Sequence, residues 1–293
     1  MEYRALGNTG LVVSVLGFGA GHIGSPEMED KTAGRLINEV IDMGINLIDT
    51  ARSYGESERR IGNCLLHRRQ EIIISTKLGY TFHDKPDWSF DATMGTVEDA
   101  LKQLKTDYLD IVHLHSCDQW FLELGEATAA LEKAKEQGKL RGIAYSGENE
   151  ALSYAIDSGR FGSIQCSVNI FDQYALGEQI PKAIHMGMGI IAKRPLGNAV
   201  WNCPERPEGH GHAAYWDRFQ KMQVHLRPED WNECAVRYSA YTPGVASIIA
   251  GTTSTEHLKK NLEIIGKGPL DKDATALIRE AFRISATNWT GII

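Results

Sequence analysis

Four polar residues of different chemical type, Asp49, Tyr54, Lys77 and His115, stand at or just beyond the ends of short apolar runs in a chain of 293 residues. Together they could deliver a proton. A phenol has a free pKa near ~10 and is a weak acid catalyst at neutral pH. A neighbouring ammonium lowers that value by stabilising the phenolate, and a carboxylate paired with the ammonium keeps it charged and oriented. A histidine on the same rim can hydrogen-bond a substrate carbonyl and position it. Each residue alone has a plainer reading: Asp49 as a cap on the next helical turn, Lys77 as a solvated lysine, Tyr54 as an ordinary loop residue. His113, two positions before His115, reads as a core histidine. The signal lies in four types converging on one rim.

Such convergence requires a scaffold that brings strand ends together. Eight Ile/Val-rich runs without strict alternation occur at 14–20, 45–51, 71–79, 109–116, 140–147, 163–169, 189–195 and 246–252, as expected for strands covered on both faces. Helical patterns lie between them, at 28–44, 91–106, 124–140 and 253–266 among others; Val97, Leu101 and Leu104 share one stripe. This alternation predicts an α/β chain folded as one (β/α)₈ barrel domain over 1–293, with an open doubly wound sheet as the alternative. The turn signal in "YRALGNTGLVVS" predicts a hairpin that covers one barrel end. Residues 196–226 show no clear periodicity and are expected to form a long loop after the seventh strand. Trp201, Tyr215, Trp216 and the histidines of "HGHAAYW" in that loop are expected to line a substrate cleft. A barrel's active site sits at the carboxyl ends of its strands. That filter also selects Ser146, Gln165, Asn169, Lys193 and Arg194.

Bulk properties exclude several classes. The net charge of −7 argues against a nucleic-acid surface. No run reaches the ~18 apolar residues of a membrane span. The first ten residues lack the pattern of a secretion signal. Five cysteines without a C-x-x-C pair make a disulfide framework improbable, which points to a reducing cytoplasm.

Several segments resemble the aldo-keto reductase family in chain order. "INLIDTARSYGESERRIG" is similar to its aspartate-to-tyrosine segment, "IIISTKLG" to its lysine strand, and "DYLDIVHLHSCD" to its histidine strand. "GKLRGIAYSG" is similar to its fifth strand and "SIIAGTTSTEHLKKNLE" to its last strand and helix. The resemblance implies a metal-free nicotinamide enzyme, with NADP(H) favoured over NAD(H), acting on a small carbonyl or alcohol substrate: an aldehyde, a ketone or a sugar-like molecule. It implies Tyr54 as general acid/base tuned by Lys77 and Asp49, and His115 as the group that orients the carbonyl. Ser146 and Gln165 would hold the nicotinamide carboxamide. Lys193 and Arg194 would lie beside the cofactor, Leu196, Gly197, Thr252 and Thr253 around its phosphates, and Asn261 at the adenine. Three positions depart from the family pattern. Gly147 stands where an asparagine is common, and Lys193 where an aromatic ring often stacks. Gly251 and His257 occupy places where a lysine and an arginine commonly bind a 2′-phosphate; Lys259 and Lys260 are near.

Two rival readings use other features. His113, His115 and Cys117 recur at period 2, so on a strand they would share a face and could ligate zinc in a barrel hydrolase. A non-catalytic barrel could instead bind nucleotide as a regulatory subunit.

Overall fold

The chain begins with an antiparallel hairpin, β1 (Tyr3–Ala5) and β2 (Val12–Ser14), in which Tyr3 pairs with Ser14. The structure, a computed structural model, describes all residues except 81, 225, 228 and 229, and of Leu66 the backbone only. Gly7 takes a left-handed φ of 52° in the hairpin turn, and the Asn8 amide donates to the Gly187 carbonyl at 2.8 Å. Leu6, Leu11 and Val13 are buried against Leu47, Ile73, Ile111 and Ile191. The hairpin therefore seals the amino-terminal end of the barrel, as its turn signal and flanking apolar residues lead one to expect.

Eight parallel strands close on themselves in chain order: β3 (Leu16–Gly19), β4 (Leu47–Asp49), β5 (Ile73–Leu78), β6 (Leu109–His115), β7 (Leu140–Ser146), β8 (Ser163–Ser167), β9 (Gly189–Lys193) and β10 (Val245–Gly251). β10 pairs with β3 to complete the ring. All residues of β4, β5 and β8 are buried, which explains why these runs lack alternation. The outer layer comprises α1 (Asp30–Asp42), α2 (Ser57–Cys64), α3 (Phe90–Gln103), α4 (Gln119–Leu124), α5 (Glu126–Glu136), α6 (Asn149–Asp157), α7 (Gln179–His185), α8 (His210–Met222), α9 (Asp230–Ala240), α10 (Thr255–Gly266) and α11 (Lys272–Ser285). The Ser89 side chain caps α3 by accepting from the Ala92 amide. The helix expected over 124–140 is instead α5 preceded by the short α4, because Gly125 between them adopts φ 74°. No helix is long and apolar enough to cross a membrane among the described residues.

The connection after β9 is long but not irregular throughout. It holds a 3₁₀ turn, Gly197–Asn202, and the four-turn α8; position 225 of the expected loop lies outside the described residues. Tyr215 is fully buried in a second core with Phe171, Val200, Met222 and Trp231. Trp216 packs against that core and donates its indole N–H to the Cys203 carbonyl. Tyr215 is thus closed off from solvent, and Trp216 lines neither of the two hollows described below. The helix escapes pattern reading because Arg218 lies on its buried face, donating to the Phe171 carbonyl at 3.0 Å.

Candidate active site

Parallel pairing places the selected strand-end residues in lateral rows. Asp49 pairs with Ser75, Lys77 with His113, His115 with Ser146, and Ser146 with Gln165. The Lys77 ammonium donates to Asp49 Oδ2 at 2.6 Å and to the Thr50 carbonyl at 2.8 Å. Asp49 Oδ1 accepts from Ser75 Oγ at 2.9 Å and from Gln165 Nε2 at 2.8 Å, so three donors surround a buried carboxylate. Burial works against the Lys77 charge, but Asp49 and then Tyr54 outweigh it and lift the amine above the ordinary lysine value. Lys77 stays an ammonium, 5.1 Å from the centroid of the Tyr54 ring.

Tyr54 reaches this pair because its loop is pinned at several points. The Arg52 amide donates to the Lys77 carbonyl at 3.0 Å, Tyr54 to Ala51 at 3.0 Å, and Glu56 to Gly24 at 3.1 Å. Gly24 lies so close to the Tyr54 carbonyl that any Cβ there would overlap it, and Gly55 adopts φ 52°. The His115 ring stands edge-on to Tyr54, with centroids 6.1 Å apart.

Both histidines of β6 are held neutral. Burial, followed by the Lys77 and Lys193 charges, pulls His115 down to about 3; burial and Lys77 pull His113 to about 3. His113 is fully buried, and its Nε2 meets Ser75 Oγ at 2.9 Å, the situation of a core histidine. The three-ligand set proposed for zinc does not assemble. β6 ends at His115, and Ser116 takes φ 55°, so strict alternation stops before Cys117. The Cys117 thiol turns toward the Asp118 carbonyl. Among the described residues no group of three His, Cys, Asp or Glu is placed to hold a metal ion.

A cavity of about 280 Å³ is lined by Asp49, Tyr54, Lys77, His115, Ser146, Gln165, Lys193 and Arg194, with Gly19, Gly21, His22, Ser116, Ile249 and Gly251. A second hollow of about 400 Å³ adjoins it, lined by Leu196, Ala199, Trp201, Asn202, Asn232, Ala250, Gly251, Thr252, His257, Lys260 and Asn261. Gly251 lines both, and a Cβ there would come within 3.3 Å of His22, narrowing the passage. An extended dinucleotide suits two hollows joined over a glycine, with polar donors at one end and two basic side chains at the other. Trp201 faces this second hollow, stacked on Trp231 at 5.8 Å. Gly197 is buried beside Phe171 with φ 50°, and Thr253 lines neither hollow.

The departures from the family pattern have local causes. A Cβ at position 147 would overlap the Tyr145 hydroxyl, which donates to the Cys117 carbonyl at 2.9 Å; Gly147 makes room for that ring. Lys193 is held at 3.2 Å by Glu148, a buried carboxylate that also accepts from the Ser167 amide at 2.8 Å. Arg194, at φ 54°, donates to the Ile292 carbonyl, tying the cavity wall to the end of the chain. Asn169 supports this wall by donating to the Arg194 carbonyl at 3.0 Å. Sequence reasoning overlooked Gly19, Gly21 and His22, although the glycine density of "GFGAGHIG" marks a close backbone approach. It also overlooked Glu148 and Tyr80, for which neither spacing nor periodicity offers a signal.

A model described as "Aldo/keto reductase family" matches residues 15–283. The chain belongs to the aldo/keto reductase family. It is 29% identical to an L-galactose dehydrogenase of Arabidopsis thaliana, over 90% of this chain and 88% of that one. It is 26% identical to an NADH-specific methylglyoxal reductase of Escherichia coli, over 96% of this chain and 98% of the other. The solved holo structure of an aldo-keto reductase from Bacillus halodurans matches with a TM-score of 0.83 at 28% identity, covering 96% of both chains. The (β/α)₈ barrel with its amino-terminal hairpin accords with that relationship. The chemistry of this reductase is nicotinamide-dependent interconversion of a carbonyl and an alcohol.

Proposed function

We propose that this reductase reduces a small aldehyde, ketone or sugar-like carbonyl with Tyr54 as the proton donor, and that it favours NADP(H). The observation that carries the reading is one cavity holding the Tyr54 phenol beside a buried Lys77–Asp49 pair and a neutral His115. A bound nicotinamide cofactor supplies or accepts the hydride. Tyr54 gives its proton to the carbonyl oxygen as negative charge builds there. The Lys77 ammonium stabilises the phenolate that remains, and Asp49 keeps Lys77 charged and aimed. His115 donates a second hydrogen bond to the same oxygen. In the alcohol-oxidising direction Tyr54 takes the proton back. Ser146 donates to Gln165 Oε1 at 2.9 Å and lies with it on the cavity wall, where both can meet a carboxamide. A regulatory subunit without chemistry would leave this proton-delivery arrangement without a use.

The preference for NADP(H) rests on charge in the second hollow. Lys260 and His257 line it, and among the described residues no carboxylate does. Lys259 is engaged with Glu256 at 2.7 Å, which leaves Lys260 to meet a 2′-phosphate. His257 Nδ1 lies 3.1 Å from the Thr252 hydroxyl, and the start of α10 adds backbone N–H donors. A panel of aldehydes, ketones and sugar carbonyls, assayed with each cofactor by loss of nicotinamide absorbance, tests the reading. Turnover of at least one class with either cofactor is expected; none across the panel would refute it.

A further inference from the structure

The Tyr80 hydroxyl lies 2.8 Å from His115 Nδ1. This bond has a consequence for the reaction, because a neutral imidazole carries its proton on only one nitrogen. Nδ1 is taken by Tyr80, and among the described residues nothing bonds Nε2, while the His115 ring lines the cavity. Two arrangements satisfy the short contact. If Tyr80 donates, the imidazole proton sits on Nε2 and can be offered to a carbonyl oxygen. If Nδ1–H donates, Nε2 presents a lone pair that repels that oxygen. A phenol O–H is a better donor than its oxygen is an acceptor, and the imidazole lone pair is a strong acceptor, so the first arrangement is favoured.

We propose that Tyr80 is a positioning residue that fixes the Nε2–H tautomer of His115 and so turns the histidine into a hydrogen-bond donor toward the substrate carbonyl. The inference rests on the proposed role of His115. Its structural basis is the rigid seat given to Tyr80. Gly79, at the end of β5, adopts φ 122° and turns the chain so that Tyr80 faces His115, with ring centroids 5.8 Å apart. Trp88 packs against Tyr80 with ring centroids 5.3 Å apart, and its amide donates to the Gly79 carbonyl at 2.7 Å. A Cβ at Gly79 would overlap the Trp88 ring, so the glycine is needed for the clamp as well as for the turn. Phe121 closes the stack against Trp88 at 6.3 Å. Lys77, the putting of charge, and Tyr80, the choice of tautomer, thus issue from the same strand end.

The test is nitrogen NMR of the histidine side chains, with the His115 signal assigned by its loss in His115→Asn. The native protein is expected to give His115 as Nε2–H with a bare Nδ1, and Tyr80→Phe to give a mixture of tautomers or the reverse one. Tyr80→Phe is also expected to lower kcat/KM about 10-fold, the loss of one hydrogen bond's worth of orientation, with cofactor binding unchanged. A native His115 protonated on Nδ1, or a Tyr80→Phe protein with the native tautomer and native rate, would overturn the proposal. If instead His115→Asn itself keeps the native rate, the role given to His115 fails, while the tautomer measurement still decides what Tyr80 does to the ring.

Discussion

Replacing Lys77 by methionine separates what the ion pair does for the fold from what it does for the reaction. The side chains of Lys77 and Asp49 are 2% and 6% exposed, and the substitution removes bonds of 2.6 Å to Asp49 and 2.8 Å to the Thr50 carbonyl. Leaving a buried charge without its partner typically costs about 3–5 kcal/mol. Asp49 retains the Ser75 and Gln165 donors, at 2.9 and 2.8 Å, which places the expected loss near the lower end, at about 3 kcal/mol. For a chain of 293 residues that corresponds to a fall in Tm of roughly 5 °C. Adding Asp49→Asn removes the stranded charge while keeping the shape, so the double variant is expected to recover to within about 1 kcal/mol of the native protein. Both variants should remain at least ~10²-fold slower, because neither has an ammonium beside Tyr54. Thermal unfolding and steady-state rates are the assays. A Lys77→Met protein that loses less than ~1 kcal/mol, or a double variant no more stable than the single one, would refute the buried-charge reasoning.

Acid should destabilise the protein through two neutral histidines, the buried His113 and the part-buried His115. Both have folded-state values of about 3, below the ordinary ~6.5, so the unfolded chain binds more protons throughout the window between them. Their contribution is present above ~6.5 and is lost as pH falls toward 3, at up to ~1.4 kcal/mol per pH unit for each. Urea midpoints at several pH values check this, and His113→Asn should flatten the acid limb by about 2 kcal/mol between pH 7.5 and 5. In the second hollow, Lys260→Ala is expected to weaken NADPH binding about 10-fold with little change for NADH. Equal weakening of both cofactors in fluorescence titrations would assign the 2′-phosphate to another cation.

The barrel was legible because parallel strands buried on both faces must be written as Ile/Val runs, and their polar last residues then mark the rim. Asp49, Lys77 and His115 could be picked out for that reason, and the structure gathers them with Tyr54, Ser146, Gln165, Lys193 and Arg194 around one cavity. Period-2 reasoning failed at Cys117 because alternation ends where the strand does, at His115. α8 escaped because its buried face carries Arg218 beside Tyr215 and Met222, so apolar periodicity is interrupted. The aromatic residues of that segment serve a second core or the second hollow, which no local pattern distinguishes. Tyr80 and Glu148 act through partners distant in the chain, His115 and Lys193, and only the closed barrel brings them together.

Removal of the Tyr54 hydroxyl tests most directly whether this residue delivers the proton. Tyr54→Phe removes one hydroxyl and leaves the Lys77–Asp49 pair in place. The measurement is turnover of a ketone substrate alongside cofactor affinity by fluorescence quenching. The expected result is a fall in kcat of about 10²–10⁴-fold with the cofactor dissociation constant unchanged. A Tyr54→Phe enzyme that reduces the ketone at near the native rate would contradict it.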